Sequence, residues 1–220
     1  IIRIKGFGLN NFEYINNLTI FTDYYDKTLN DYIKAEGKKS SGRETILTTR
    51  DYIIILGITI AMMHIHKFGF QYTILSPLLI FLDENYYPII STIESQKTMQ
   101  RIRPPLAYTA PEYHRGIWML KSNVFSFSFI LFEILTRKYP FDSFETLKFR
   151  RLISSSSHYR IELVKNDIFI ELLQKCWDQN PRKRLTFKEI LEFITRIEFC
   201  SCFQPFDYES IKKYLDIYGI

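Results

Sequence analysis

Cysteine is scarce: Cys176, Cys200 and Cys202 are the only three in 220 residues. An odd count with no metal-ligand spacing, two of the thiols being separated by a single serine, excludes a disulfide framework and a zinc clamp and fits a reducing, cytoplasmic compartment. Long apolar runs are missing too. The longest, Tyr52 to Met63, is interrupted by Gly57 and Thr59 and bounded by Asp51 and His64, too short to span a bilayer. The opening Ile1-Ile2-Arg3-Ile4-Lys5 has neither the apolar stretch nor the small-residue cleavage site of a signal peptide, so no membrane partner is expected. Because the chain opens without methionine in what reads as the middle of a strand, it is expected to be a fragment. The basic excess is small, 29 Lys and Arg against 24 Asp and Glu, and scattered, which argues against a nucleic-acid-binding module.

What the chain does have is apolar mass. Hydrophobic residues make up 46% and aromatic residues 16%, with 19 Phe and 15 Tyr, enough to offset the conformational entropy of one ordinary domain. Strand signals with Gly and Asn punctuation run through Ile1 to Phe7, Phe12 to Ile15 and Leu18 to Tyr24. A short helix is expected over Thr28 to Ile33, then a polar loop from Lys34 to Arg43, then a long buried helix within Thr45 to Lys67, ended by Gly69. The apolar segment Ile74 to Leu82, the turn Asp83-Glu84-Asn85 and the strand Pro88 to Ile93 suggest a hairpin laid on that helix.

Ser95 to Pro105 reads as a surface loop. Helices are expected at Pro111 to Trp118, Ser122 to Leu135, Phe144 to Leu152, Ile168 to Cys176, Phe187 to Ile197 and Tyr208 to Tyr218. Thr186 with Glu189 forms a capping box for the fifth of these. The segment Val124 to Leu135 should lie at the centre, since only Ser126, Ser128 and Glu133 interrupt its apolar surface.

Three stretches, in order, resemble the C-terminal lobe of protein kinases of the tyrosine-kinase-like type. They are Tyr108-Thr-Ala-Pro-Glu112, the run from Lys121-Ser-Asn-Val to Glu133-Ile-Leu135, and Cys176-Trp-Asp-Gln-Asn-Pro-Arg-Lys-Arg-Leu-Thr-Phe187. Phe21-Thr-Asp-Tyr24 with Leu29 and Tyr32 is similar to the family's hinge and following helix, making Thr22, Asp23 and Tyr24 hinge candidates and Phe81 the floor of the adenine site. The resemblance covers roughly Ile1 to Ile197. It implies an α+β, protein-kinase-like fold: N-lobe strands and a hinge remnant over 1–27, a mainly helical C-lobe over 28–197 and a C-terminal extension over 198–220. It also implies a buried ion pair between Glu112 and Arg184, and an Asn123 that hydrogen-bonds the catalytic-loop backbone.

Phosphoryl transfer in this family needs an Asp at the substrate hydroxyl, an Asn and an Asp on magnesium, and a Lys and Gly-rich loop on the phosphates. Counting from Gly69 to Asp83 without a gap, with Pro77 in the family's proline position, His-Arg-Asp falls on Tyr72, Thr73 and Ile74. The loop Lys then falls on Ser76, the metal-binding Asn on Leu79, and Asp-Phe-Gly on Thr92, Ile93 and Glu94. No carboxylate remains at the catalytic or metal positions, and hard cations want charged oxygens. The sequence contains no Gly-x-Gly-x-x-Gly or Val-Ala-x-Lys either.

The resemblance therefore points to a pseudokinase-type interaction or allosteric domain with no metal and no cofactor. Signalling proteins, an active kinase among them, are its expected partners, while nucleic acid and membrane are not. The alternative is a fragment of an active Ser/Thr or Tyr kinase using ATP with magnesium. The Lys97, Arg101 and Arg103 cluster with Thr98 reads as a solvated basic loop, and Ser154 to Ser157 with His158 as a loop without nucleophile geometry. His64 and His66 read as helix-end residues rather than metal ligands, and the Trp118 and Trp177 rings as core.

Overall fold

The apolar segments sort themselves by period into a helical body and two small sheets, as a computed structural model describes for residues 1, 3–12, 15–40, 44–70, 72, 75–91, 108–117, 119–139 and 161–219. Strands β1 (Ile4–Phe12) and β2 (Ile15–Thr22) form an antiparallel hairpin with Phe12 opposite Ile15 and a register shift between Ile4 and Gly6. Ladder pairing thus carries both strands through the paired asparagines expected to punctuate them. A second sheet joins β3 (Lys27–Thr28), β4 (Ile80–Leu82) and β5 (Pro88–Ile90), all antiparallel, in that order. Asp83 closes the β4–β5 turn by accepting the backbone N–H groups of Asn85 and Tyr87 at 2.9 and 2.8 Å.

Helix α1 (Leu29–Lys39) starts at Thr28, whose hydroxyl accepts the Asp31 N–H while the Asp31 carboxylate accepts the Thr28 N–H. It continues past Ile33 through Lys39, so most of the expected Lys34 to Arg43 loop is helix. Lys38 and Lys39 suit the negative end of the helix dipole, and Lys39 pairs with Glu36 at 2.7 Å. Helix α2 (Thr49–Lys67) is buried on all sides from Asp51 to Ile60, and it ends where Gly69 takes a φ of +71°. Its start lies four residues after Thr45, since Asp51 accepts the Thr48 N–H at 2.9 Å and fixes the cap there.

Two neighbouring elements come close to α2 at Gly57. A Cβ there would lie 2.3 Å from the Tyr214 hydroxyl and 2.5 Å from Pro88, so the glycine lets the β4–β5 hairpin and the C-terminal helix sit directly on α2. A short 3₁₀ turn (Pro111–Arg115) precedes α3 (Leu120–Thr136), in which every residue from Asn123 to Thr136 is buried. Helices α4 (Asp167–Cys176), α5 (Phe187–Ile194), α6 (Ile197–Cys200) and α7 (Tyr208–Tyr218) complete the described helices. The expected Phe187 to Ile197 helix is thus two, because the Thr195 N–H and hydroxyl both turn back on the Leu191 carbonyl and close the first of them. The capping box of Thr186 and Glu189 is present.

Phe199 and Phe203 are fully buried against Tyr52, and the Gln204 N–H donates to the Leu47 carbonyl at 2.7 Å, so the chain after α5 is stitched to the start of α2. Trp177 is half-buried against Phe129. The expected helix Phe144 to Leu152, the loop Ser95 to Pro105, Thr98 with its basic cluster, Ser154 to His158 and Trp118 lie outside the described residues.

Candidate functional site

The stretch from Tyr72 to Ser91 runs from the end of α2 through the β4–β5 hairpin, where the family's catalytic loop and metal-binding strand would lie. Tyr72 is buried, and its hydroxyl donates to the Ser91 carbonyl, closing the two ends of the stretch on each other. Leu75 and Leu79 are 1% and 6% exposed, and the Ser76 hydroxyl is fully buried with no hydrogen-bond partner among the described residues. The backbone is satisfied locally: Leu79 N–H donates to the Ser76 carbonyl at 3.0 Å, and Ser91 N–H to the Leu79 carbonyl at 3.1 Å. Pro77 is buried and accepts the Asn30 N–H at 3.1 Å, fastening the loop to α1. Phe81 is half-buried, its ring 6.2 Å from that of Tyr25. Thr73, Ile74, Thr92, Ile93 and Glu94 lie outside the described residues.

The hinge candidates sit at the edge. Asp23 pairs with Lys5 at 3.1 Å, the Thr22 hydroxyl donates to the Asp23 carbonyl, and Tyr24 is 89% exposed.

Below this stretch, α3 acts as a polar spine inside an apolar helix. At its first turn the Asn123 amide brackets Tyr72, accepting its N–H at 3.3 Å and donating to its carbonyl. The Asn123 carbonyl oxygen also lies 3.1 Å from His66 Nε2. His66 packs edge-on against Phe187, and burial holds its imidazole below the usual histidine range. Its role is therefore inside the fold; the expectation of a merely helix-terminal residue missed it, because Asn123 is 57 residues away. His64 is exposed.

Arg184, 2% exposed, grips Glu112 with two parallel hydrogen bonds of 2.6 and 2.8 Å, and its remaining donors reach the Asp178 and Lys121 carbonyls at 2.7 and 3.1 Å. Ser122 donates to the same carboxylate at 2.6 Å. Burial alone would raise the Glu112 carboxyl, but the Arg184 and Ser122 hydrogen bonds outweigh it and hold the group below the usual carboxylate range.

Two of the polar interruptions of α3 also find their purpose. Ser126 donates to the Tyr108 carbonyl, and Glu133, two turns further on, accepts the Tyr108 hydroxyl, so one tyrosine is held at both ends. Burial pushes the Glu133 carboxyl up to about 7 against the opposing Tyr108 hydrogen bond. At the far end Arg137 pairs with Asp51 at 2.6 Å, and Asp51 also accepts the Tyr32 hydroxyl at 2.8 Å. Sequence reasoning missed this pair because its members lie 86 residues apart; Arg137 caps the helix in a left-handed conformation, φ +56°.

Among the described residues no three His, Cys, Asp or Glu side chains converge as a metal site, and no helix is long and apolar enough to cross a membrane. Burial raises all three thiols, Cys176 most strongly, which leaves them protonated.

Residues 86–194 match the family described as protein tyrosine and serine/threonine kinase. Among curated relatives, the dual specificity protein kinase splA of Dictyostelium discoideum is 36% identical over 96 residues, 42% of this chain and 4% of that protein. The putative serine/threonine-protein kinase/receptor R826 of Acanthamoeba polyphaga mimivirus is 28% identical over 194 residues, 84% of this chain and 11% of that protein. The probable serine/threonine-protein kinase gdt4 of D. discoideum is 25% identical over 206 residues, 86% of this chain and 12% of that protein. The chain belongs to the protein kinase superfamily and has an α+β, kinase-like fold. It spans between 4% and 22% of the length of the first relatives it matches.

Proposed function

We propose that this domain does not transfer phosphate and works instead as a pseudokinase-type interaction or allosteric module in signalling. The observation that carries the reading is the buried Leu79, 6% exposed, at the position where the family's register puts the magnesium-binding Asn. An aliphatic side chain offers a hard cation no oxygen. Ser76, in place of the loop Lys, has a neutral hydroxyl that is fully buried, and the Tyr72 hydroxyl occupies the Ser91 carbonyl next to the metal position. Four carboxylates among the described residues are committed elsewhere: Asp83 to its turn, Asp23 to Lys5, Asp31 to the α1 cap and Asp51 to Arg137. These residues do not fit a magnesium–nucleotide complex, and no catalytic step is assigned to them. Partner binding remains available to a body that keeps the Glu112–Arg184 pair and the Asn123 bracket on Tyr72.

The relatives' names favour a second reading, a fragment of an active serine/threonine or tyrosine kinase. Thermal unfolding of the chain with ATP, with ATP plus magnesium and with neither, alongside a phosphate-transfer assay, separates the two. The expected result is no magnesium-dependent shift and no transfer. A magnesium-dependent shift accompanied by transfer overturns the register and restores the active-kinase reading.

A further inference from the structure

Three helix ends meet around a cavity of about 800 Å³ that the kinase reading does not use. The last turn of α2 contributes Met63, His64, His66 and Lys67, the start of α3 contributes Met119, Leu120, Lys121 and Val124, and the start of α5 contributes Thr186, Phe187 and Lys188. Its floor is apolar and its rim basic. Two of the five apolar walls are methionines, unbranched and polarizable, which adapt to more than one inserted shape. Lys67 and Lys188 are exposed and make no ion pair among the described residues, whereas Lys121 donates to the Arg184 carbonyl. The carboxylate that acts on Lys121 is Glu189, already tied to the Thr186 N–H and hydroxyl at 2.6 and 2.7 Å. Lys67 and Lys188 therefore leave positive charge on the rim with no ion-pair partner among the described residues.

Apolar surface continues beyond the cavity: Phe68, next to Lys67, is 70% exposed, and Ile117, two residues before Met119, is 49% exposed. A small anion would leave that surface wet, but a polypeptide would cover it. We infer that this cavity docks an acidic segment of a partner protein, which seats one bulky apolar side chain on the methionines and sets its carboxylates against Lys67, Lys121 and Lys188. The inference rests on the interaction reading above and supplies the chemistry of the partner. Charge selects the segment and the apolar anchor holds it.

The four methionine methyl groups provide the readout. The full chain, labelled at those methyls and assigned by single Met→Leu changes, is titrated with the blocked peptide Asp-Glu-Phe-Leu-Glu-Asp. The controls are its Lys-for-acid counterpart and a version with Ala in place of Phe-Leu. Saturable shifts are expected at Met63 and Met119 and not at the fully buried Met62, with both control peptides at least about tenfold weaker.

The exposed double change Lys67→Glu and Lys188→Glu should weaken the acidic peptide about tenfold and make the basic peptide the better ligand. Absence of shifts at Met63 and Met119, equal binding of acidic and basic peptides, or indifference to the double change overturns the inference. The same preparations are assayed for phosphate transfer. Failed docking without transfer removes this site alone, whereas transfer with intact docking removes the pseudokinase reading alone.

Discussion

The surroundings of α3 and the stretch from Tyr72 to Ser91 lie side by side and handle polarity in opposite ways. Around α3, buried charged and polar groups are paired: Arg184 bonds Glu112 and two carbonyls, Tyr108 is held by Ser126 and Glu133, and Arg137 pairs with Asp51 through Nη2, although its Nε and Nη1 are buried with no hydrogen-bond partner among the described residues. In the neighbouring stretch, where the resemblance puts the family's charged chemistry, the described residues from Tyr72 to Leu82 are apolar apart from the Tyr72 hydroxyl, which donates to the Ser91 carbonyl, and the Ser76 hydroxyl, which is buried with no hydrogen-bond partner among the described residues. Asn123 joins the two regions, since it belongs to α3 and brackets Tyr72. The difference teaches that buried charge here positions chain segments, while the described residues from Tyr72 to Leu82 carry none.

The strongest way to break that contrast is at its most polar point. Arg184→Met strands the Glu112 carboxylate in a site where Arg184 itself is 2% exposed, and should cost about 3–5 kcal/mol in chemical denaturation. Adding Glu112→Leu should recover a large part of that loss, because two apolar groups desolvate nothing. If the single change costs under about 1 kcal/mol, the pair is not the tie between the 3₁₀ turn and the approach to α5. The reciprocal experiment puts polarity back into the apolar stretch. Leu79→Asn buries an amide with no partner and should destabilise by about 2–4 kcal/mol without creating magnesium-dependent nucleotide binding. A neutral effect with nucleotide binding would mean that the site had been built to hold polar groups.

A third test reads the scaffold by pH. The Glu133 carboxyl is raised by burial from an ordinary 4.5 to about 7, so between those values the folded chain binds more protons than the unfolded one. Its contribution is complete below about pH 4.5 and is lost as pH rises toward 7, a decline of about 1–3 kcal/mol. Glu112 runs the other way, its contribution being lost as pH falls through its lowered value. Glu133→Gln keeps an acceptor for the Tyr108 hydroxyl and should flatten the decline between pH 5 and 7. An unchanged slope in that variant would assign the titration to another group.

Much of the helical body is legible from local rules. The periodicity around Ile53 and Val124 marks two buried helices, and Thr186 with Glu189 marks a helix start, because period and capping are properties of a few adjacent residues. The end of α1 was not legible, since Gly37 and the lysines that read as loop are tolerated in a helix whose Gly37 packs against Arg137. The partners of His66, Asp51 and Tyr72 were not legible either, each being supplied by a residue 19 to 86 positions away. Glu112 and Arg184, brought together in the structure, lie 72 residues apart and were paired through family motifs rather than spacing.

The smallest expected effect tests what closes the apolar stretch. Tyr72→Phe removes one hydroxyl and leaves the ring, so packing against the 93%-buried site is unchanged while the Ser91 carbonyl loses its side-chain donor. A neutral hydrogen bond of this kind is worth about 1 kcal/mol net, measured as a shift in denaturation midpoint at constant slope. Because the Asn123 amide holds Tyr72 through its backbone, that bracket survives the substitution and the loop should keep its place. A loss near 1 kcal/mol with no gain of nucleotide binding is therefore the expected pattern. A much larger loss, with a changed slope, would mean that the hydroxyl and not Asn123 sets the path of the loop, and the division between a polar scaffold and an apolar cleft would have to be redrawn around Tyr72.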